Sequence, residues 1–200
     1  MLKRSIFVIA LIILFPLNSF ASNYSTEPKK FIEELVFDAL NILSDTSKSQ
    51  EDKTLLIEEI AKANVDINAL GLYTLGEKRK TIDESTLKKY QGLFERYFLK
   101  SLTSRLSDYS SQKFEVFNSD QKSSNYTIVN SKIVETLNSP EIKVDWRVYT
   151  KDPMKPLIRD LIVEGLSLAR TQKEEFASIL ISSNDDMNVL FEKLQEFVKK

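Results

Sequence analysis

The sequence of 200 residues contains no cysteine and no histidine, and only four glycines and five prolines. Without cysteine there is no disulfide framework, no thiol nucleophile and no thiolate for an iron–sulfur cluster. Without histidine there is neither a Ser-His-Asp triad nor a histidine-containing zinc site. The four glycines form no phosphate-binding loop. These absences favour binding over catalysis, and we expect no metal and no cofactor.

The remaining candidate for catalysis is a pair of carboxylates, Asp160 and Glu164. They are four residues apart on an extended segment, so their side chains face the same way, roughly 13 Å apart by strand rise. That separation is too large for either arrangement of glycosidase carboxylates unless Gly165 kinks the backbone. The favoured interpretation is an aspartate that accepts backbone hydrogen bonds beside an exposed glutamate. The sequence therefore predicts no catalytic residues.

The composition that remains is that of an ordinary globular protein, 42% hydrophobic and 28% charged, with a net charge of −1. It carries no basic stripe with interleaved aromatic residues, so a nucleic-acid partner is not expected. The chain after residue 21 is long enough for one domain with a substantial core. We therefore expect residues 22–200 to form a single domain.

The first 21 residues have the pattern of a cleavable signal peptide. Lys3 and Arg4 precede an apolar run of ten residues, and Ser19-Phe20-Ala21 places small residues at the cleavage positions. The alternative, an uncleaved anchor helix, is less favoured because a membrane span needs roughly 20 apolar residues. Cleavage after Ala21 would remove both cations and leave an exported chain with a net charge of −3.

The spacing of apolar residues changes once along the chain. It is helical in the first half, with starts at Pro28, Ser49, Asp66 and Glu84, and the helix from Glu84 is expected to reach about Asp108. After that helix the apolar residues recur at every second position, which predicts strands, and two helices are expected at the C-terminal end. The order predicts an α+β fold: a helix-rich N-terminal half, an antiparallel sheet of about four curved strands and C-terminal helices. The strands are expected at Phe114–Phe117, Tyr126–Val134, Ile142–Val148 and Leu157–Val163.

One helix and one strand carry unusually large apolar side chains. Phe94, Tyr97 and Phe98 lie on one face of the longest helix, and Trp146 and Val148 lie on one face of a strand. If these two faces meet, they enclose either an ordinary core or an apolar pocket. The residue pattern leaves both alternatives open.

The segment from Asp160 to Leu168 resembles the D-x-x-x-E-G-x-S signature of the MlaC family, also called the toluene-tolerance auxiliary proteins. Trp146 fits the strand that precedes this signature in the family, and Tyr73-Thr74-Leu75-Gly76 fits its helix ending in Leu-Gly. The aromatic helix from Phe94 to Leu106 also fits, and the resemblance covers roughly residues 30–195. One departure is the turn Lys151–Pro156, where family members often carry Gly, Asn and Trp.

The resemblance implies a periplasmic phospholipid carrier with a partly nuclear transport factor 2-like fold and an internal apolar cavity. Its implied partners are phospholipid, the inner-membrane MCE-domain protein of an ABC transporter and an outer-membrane lipoprotein–porin complex. The implied role is lipid transport in outer-membrane lipid asymmetry, and we expect a monomer. Two acyl chains of about 15 carbons represent some 20 kcal/mol of buried methylene groups, so a carrier needs a dry apolar pocket.

The residues expected to contact the lipid tails follow from strand parity and helix face. Two rivals remain: a periplasmic chaperone or adaptor that binds peptide in an exposed apolar groove, and a nuclear transport factor 2-like enzyme that uses Asp160 as a base. The expected tail contacts are Phe94, Tyr97, Phe98, Ile128, Trp146, Val148, Leu161 and Val163.

Overall fold

The computed structural model describes residues 24–106, 113–136 and 140–200, and the expected signal peptide at residues 1–21 lies outside them. Helices occupy both ends of the described chain and strands occupy its middle. The helices are α1 (Pro28–Ser44), α2 (Gln50–Asn64), α3 (Ile67–Leu75), α4 (Glu84–Leu106), α5 (Leu168–Ser182) and α6 (Met187–Lys199), with a short 3₁₀ turn at Gly76–Lys80 after α3. The strands are β1 (Phe114–Ser123), β2 (Tyr126–Ile133), β3 (Ile142–Tyr149), β4 (Leu157–Val163) and β5 (Leu166–Ser167).

The helix starts follow the capping signals in the sequence. The side chain of Ser49 accepts a hydrogen bond from the backbone N–H of Asp52, and that of Asp66 accepts one from Ala69. Each bond satisfies a backbone donor that the first helical turn leaves unpaired. Gly76 ends α3 with φ +60°, a conformation that residues with a Cβ rarely adopt.

The five strands form one antiparallel sheet in the order β1-β2-β3-β4-β5. This confirms the predicted α+β class, and the short β5 is added to the expected four strands. The register shifts at Phe117 and Lys122 in β1 and at Arg159 in β4, and each shift inserts one extra residue relative to the neighbouring strand. Such bulges bend a strand and increase its twist.

One face of the sheet is covered by α1. Phe31 and Ile32 of α1 are 1% and 0% exposed and pack against residues from β2, β3 and β4. Half-buried Trp146 and Val116 pack at the border. We call this group the sheet cluster; its buried members are Phe31, Ile32, Leu35, Val129, Val148 and Ile158.

A second apolar core lies among the helices. It is built by α3, α4, α5 and α6, and the 23-residue helix α4 contributes its aromatic face. We call it the helical cluster; its buried members are Leu70, Leu75, Tyr90, Leu93, Phe94, Ala169, Phe176, Leu180, Met187, Leu190, Phe191 and Leu194.

The two clusters meet at the junction between α2 and α3. Val65 packs against both of them and forms a parallel bridge with Ile158 of β4. The N–H of Asp66 donates to the carbonyl of Ile158 over 2.9 Å, and the Asp66 carboxylate pairs with Arg159 over 2.7 Å. Backbone and ionic contacts therefore fix the helical cluster to one edge of the sheet cluster.

Among the described residues, no helix combines the length and the apolar character that crossing a bilayer would require.

Candidate functional site

The three helix residues expected to contact lipid lie together in the helical cluster. Phe94 is 3% exposed, and its ring centroid is 6.3 Å from that of Phe98 and 6.4 Å from that of Tyr97. Phe176 of α5 meets the Phe94 ring edge-on at 6.4 Å. The Tyr97 hydroxyl donates to the side-chain oxygen of Gln172 over 2.7 Å, so its polar end is satisfied at the border of the cluster.

Four of the five strand residues expected to contact lipid share one face of the sheet. Trp146 is paired across strands with Leu161, and Val163 with Val144. Directly paired residues point to the same side, and Val148 belongs to that side because it is two residues from Trp146. This is the face that α1 covers.

Trp146 is held in place by a polar contact inside this apolar face. Its indole N–H donates to the hydroxyl of Ser131 over 2.8 Å, and that hydroxyl donates to the carbonyl of Val144 over 2.5 Å. Ser131 is fully buried. The two bonds satisfy the indole N–H and the buried hydroxyl, so the indole is fixed in one orientation.

Ile128 lies on the opposite face, which corrects the expected grouping. Its cross-strand partner is Arg147, and the next pair along is Asn130 with Asp145, joined by a side-chain hydrogen bond of 2.7 Å. The buried residue of this β2 segment is the neighbouring Val129. Because Ile128 and Val129 are both apolar, the sequence pattern alone did not fix which one faces the core.

The structure thus divides the expected tail contacts between the helical cluster and the α1-covered face of the sheet, and it leaves Ile128 on the opposite face. A pocket between the long helix and the sheet requires that their apolar faces meet. In the structure α1 covers the sheet, and the aromatic face of α4 packs against α3, α5 and α6. Sequence reasoning recognised α1 as a helix but did not assign Phe31 and Ile32 to the cover of the sheet. That these side chains contact lipid stays a prediction.

A cleft of about 330 Å³ opens between α3 and α4. Its floor includes Phe94 and Gly71, and its rim includes Lys88 and Glu95. Thirty methylene groups, each taken as roughly the ~30 Å³ of a water molecule in the liquid, need about 900 Å³. The cleft is therefore too small for two long acyl chains in this conformation.

The D-x-x-x-E-G-x-S segment has the structural role that the sequence favoured, with an aspartate that accepts a backbone hydrogen bond and an exposed glutamate. Asp160 is 3% exposed and accepts hydrogen bonds from the Ser167 hydroxyl at 2.6 Å and from the Ala169 N–H at 3.0 Å. Its carboxylate also lies 3.4 Å from the Arg147 guanidinium. Ala169 is in the first turn of α5, where a carboxylate is stabilised by the helix dipole. Asp160 therefore anchors α5 to the sheet.

Glu164 and Gly165 form the turn between β4 and β5. Their φ angles are +50° and +81°, and two successive positive values are the requirement of a type I′ hairpin turn. The Glu164 carboxylate accepts a hydrogen bond from the Lys143 N–H over 2.5 Å, which compensates for the strained backbone. Glu164 and Gly165 thus form a tight turn that directs the chain into α5.

Tyr90 is the buried polar group of the helical cluster. It is fully buried, and its hydroxyl shares a hydrogen bond of 2.9 Å with that of Thr74. Burial raises the pKa of Tyr90 well above its ordinary value, and the Thr74 bond only partly opposes this. Burial also raises the pKa of Tyr97. Both tyrosines are therefore neutral in the folded protein over a wider pH range than in the unfolded chain.

This difference predicts a loss of stability in alkali. The folded state retains protons that the unfolded chain releases above about pH 10, so the stabilisation is complete below pH 10 and declines as pH rises further. Fully buried Tyr90 contributes a slope of up to about 1.4 kcal/mol per pH unit, and partly exposed Tyr97 contributes less. Urea unfolding at pH 9 to 11.5 should show this decline. Tyr90→Phe removes one titrating group, so its free energy of unfolding should fall less steeply with pH than that of the wild type. An unchanged slope in Tyr90→Phe would contradict the assignment.

The turn Lys151–Pro156 is ordered by its own aspartate. The Asp152 side chain accepts from the Met154 N–H over 3.0 Å, and the Asp152 carbonyl accepts from the Lys155 N–H over 3.2 Å. Met154 at its tip is 76% exposed.

In the described part of the chain, no group of three or more carboxylate, cysteine or histidine side chains is placed to hold a metal ion.

Comparison with known proteins decides the family. The model of the family described as MlaC protein matches residues 33–196. This chain belongs to the MlaC family. The match includes the helical cluster, the Asp160 anchor and the cleft between α3 and α4, and it begins just after Phe31 and Ile32 of the sheet cluster. None of the curated proteins searched matches the chain.

A solved structure shares the fold. It is the phospholipid-binding protein from Ralstonia solanacearum in complex with a phospholipid, superposing with a TM-score of 0.70 at 18% sequence identity. The match covers 84% of this chain and 94% of that chain. At this identity the likeness establishes the α+β architecture of the MlaC chain described here.

Proposed function

We propose that this MlaC-family chain binds a phospholipid by its acyl chains and carries it through the periplasm. The observation that carries the proposal is the division of the large apolar side chains into two cores within a fold shared with a phospholipid-bound protein. The two cores meet at one interface, which we call the seam. Two cores that meet in this way can separate to admit an apolar ligand. A single continuous core would have to unpack instead.

The lipid enters, on this proposal, between the sheet cluster and the helical cluster. The junction at Val65, with its bridge to Ile158 and the Asp66–Arg159 pair, holds the two together while the rest of the seam widens. Tails of about 15 carbons recover roughly 0.8 kcal/mol for each methylene group that is buried, and this offsets the separation of protein side chains. The polar head group remains in water, so it needs no buried charged site.

The proposed setting follows from the family. Residues 1–21 direct export and are removed, and residues 22–200 act as one domain in the periplasm. The partners are the MCE-domain protein of an inner-membrane ABC transporter and an outer-membrane lipoprotein–porin complex, in support of outer-membrane lipid asymmetry. We propose binding and transfer without catalysis, because both carboxylate oxygens of Asp160 are engaged in anchoring α5.

The direct test is the lipid content of the exported protein. Native mass spectrometry of protein purified from a periplasmic fraction should show one phospholipid for each chain, and solvent extraction should recover it. The control is a periplasmic protein of similar size that is exchanged into the same detergent-free buffer and measured in the same way. Purified protein that is free of lipid in both measurements would refute the carrier function.

Trp146 provides an internal reporter, since it is the single tryptophan of the chain. Its half-buried indole borders the sheet cluster. Adding phospholipid to stripped protein should shift its emission to shorter wavelength, because acyl chains replace water around the ring. Trp146→Phe should abolish the signal and retain the lipid detected by mass spectrometry. An emission spectrum that is unchanged on loading would place Trp146 outside the lipid site.

A further inference from the structure

We propose that the cleft between α3 and α4 is a separate site for one acyl chain with an anionic head, such as a medium-chain fatty acid. The inference rests on the proposed function in one respect, since it names an acyl-chain ligand for a lipid carrier. It adds a location distinct from the seam between the two clusters. The cleft lies on the outer side of the helical cluster, between two helices that are already in contact.

Gly92 is the first observation that points to a ligand. It lies in the interior of α4, where glycine is among the least favourable residues for helix stability. A Cβ added at Gly92 would meet no atom within 4 Å, so no contact among the described residues requires a glycine there. Gly71 across the cleft differs, because its Cβ would lie 2.9 Å from the ring of Phe94. Gly71 is explained by packing, whereas a side chain at Gly92 would extend into the open space of the cleft that Gly92 lines.

The floor of the cleft is apolar and continuous with the helical cluster. Ile67, Gly71 and Phe94 form it, and the Phe94 ring separates the cleft from the ring of Phe176 behind it. A ligand chain in the cleft would therefore lie on an aromatic surface that is itself rigidly packed. Apolar ligands gain most from such pre-formed apolar floors.

The volume of the cleft and the charged residues at its two ends indicate which kind of ligand would fit. A volume of about 330 Å³ corresponds to roughly ten methylene groups at ~30 Å³ each, which is one medium-length chain. Lys88 and Glu95 are seven residues apart on α4, so they mark opposite ends about 10 Å apart. Among the described residues, no carboxylate forms an ion pair with Lys88, which leaves its cation for a carboxylate or phosphate. The head group therefore lies at the Lys88 end.

The test fills the cleft without harming the helix. In Gly92→Leu the new side chain occupies the cleft, and leucine favours a helix more than glycine does, so the melting temperature should not fall. Dodecanoate binding to stripped, full-length exported protein is measured by titration calorimetry. We expect Gly92→Leu to weaken binding at least tenfold. Gly92→Ala, which adds one methyl group and leaves most of the volume, should change it less than threefold.

Charge reversal provides the second arm. Lys88→Glu should weaken dodecanoate binding about fivefold, as expected for an exposed ion pair. Equal binding by wild type and Gly92→Leu would overturn the inference, and so would the absence of binding by wild type. A Gly92→Leu variant that keeps dodecanoate but loses a protein partner would also overturn it, since the cleft would then bind a helix.

The two proposals fail separately. If no phospholipid co-purifies but dodecanoate binding is lost in Gly92→Leu, the carrier function is refuted and the cleft stands as an acyl-chain site. If phospholipid co-purifies equally with wild type and Gly92→Leu and dodecanoate does not bind to either, the cleft is refuted and the carrier function stands.

Discussion

Replacing Asp160 by alanine should lower the free energy of unfolding by about 3 kcal/mol, the typical loss when a buried, hydrogen-bonded charge is removed. The substitution leaves the Ser167 hydroxyl and the Ala169 N–H without their acceptor at the start of α5. The Arg147 side chain is 42% exposed and can be rehydrated, so most of the loss comes from the two hydrogen bonds. For a chain of this size the melting temperature should fall by roughly 6–12 °C.

Asp120→Ala is the matched control for this experiment. Asp120 lies on the edge strand β1 with its side chain 48% exposed, and among the described residues its ion pair is with Lys122 alone. Its replacement should therefore change stability by less than about 0.5 kcal/mol. Urea unfolding monitored by circular dichroism measures both variants. A loss of less than 1 kcal/mol in Asp160→Ala would contradict the anchoring role. An enzyme that used Asp160 as its base would instead keep its stability and lose activity.

Replacing Phe94 by alanine should destabilise the protein by about 3–5 kcal/mol, the range measured for buried phenylalanines. Phe94 is 3% exposed, and four aromatic rings lie within 6.4 Å of its own ring centroid. Truncation therefore removes contacts on several sides, and Gly71 beneath the ring has no side chain with which to fill the space. Phe94→Leu keeps more of the volume and should cost less than half as much.

Phe37→Ala is the control for Phe94→Ala, since Phe37 is also a helical phenylalanine but is 65% exposed. Its replacement should stay within about 0.5 kcal/mol of wild type. Equal losses in the two variants, measured by urea unfolding, would mean that the helical cluster does not carry the stability assigned to it. The same pair of variants shows whether lipid loading depends on the helical cluster or only on overall stability.

The tertiary structure changes the result that we expect from a substitution at Val148. If Val148 were part of a pocket wall, Val148→Trp would fill the pocket and leave the protein folded. In the structure Val148 is 0% exposed and packed against α1, so a tryptophan there overpacks the sheet cluster. Loading would then be lost together with the fold. Gly92, where a side chain meets open space, is the better position for a filling substitution.

The sequence by itself determined the local structure of this protein. The change of apolar period after about residue 110 separated helices from strands, and Ser49 and Asp66 marked helix starts that the structure confirms. The signature from Asp160 to Ser167 indicated the family. Local signals of this kind are readable because capping, turn formation and periodicity depend on residues within a few positions of one another.

Only the tertiary structure decided which apolar faces meet. The hydrophobic effect has no direction, so the faces of α1 and α4 were equally suitable covers for the sheet. The choice of α1 depends on the paths of the connecting segments, among them the junction at Val65 and the Asp160 anchor of α5. Likewise the side on which Ile128 lies depends on register with β3, which adjacent apolar residues leave undetermined. The cleft beside Gly92 exists only because α3 and α4 lie together.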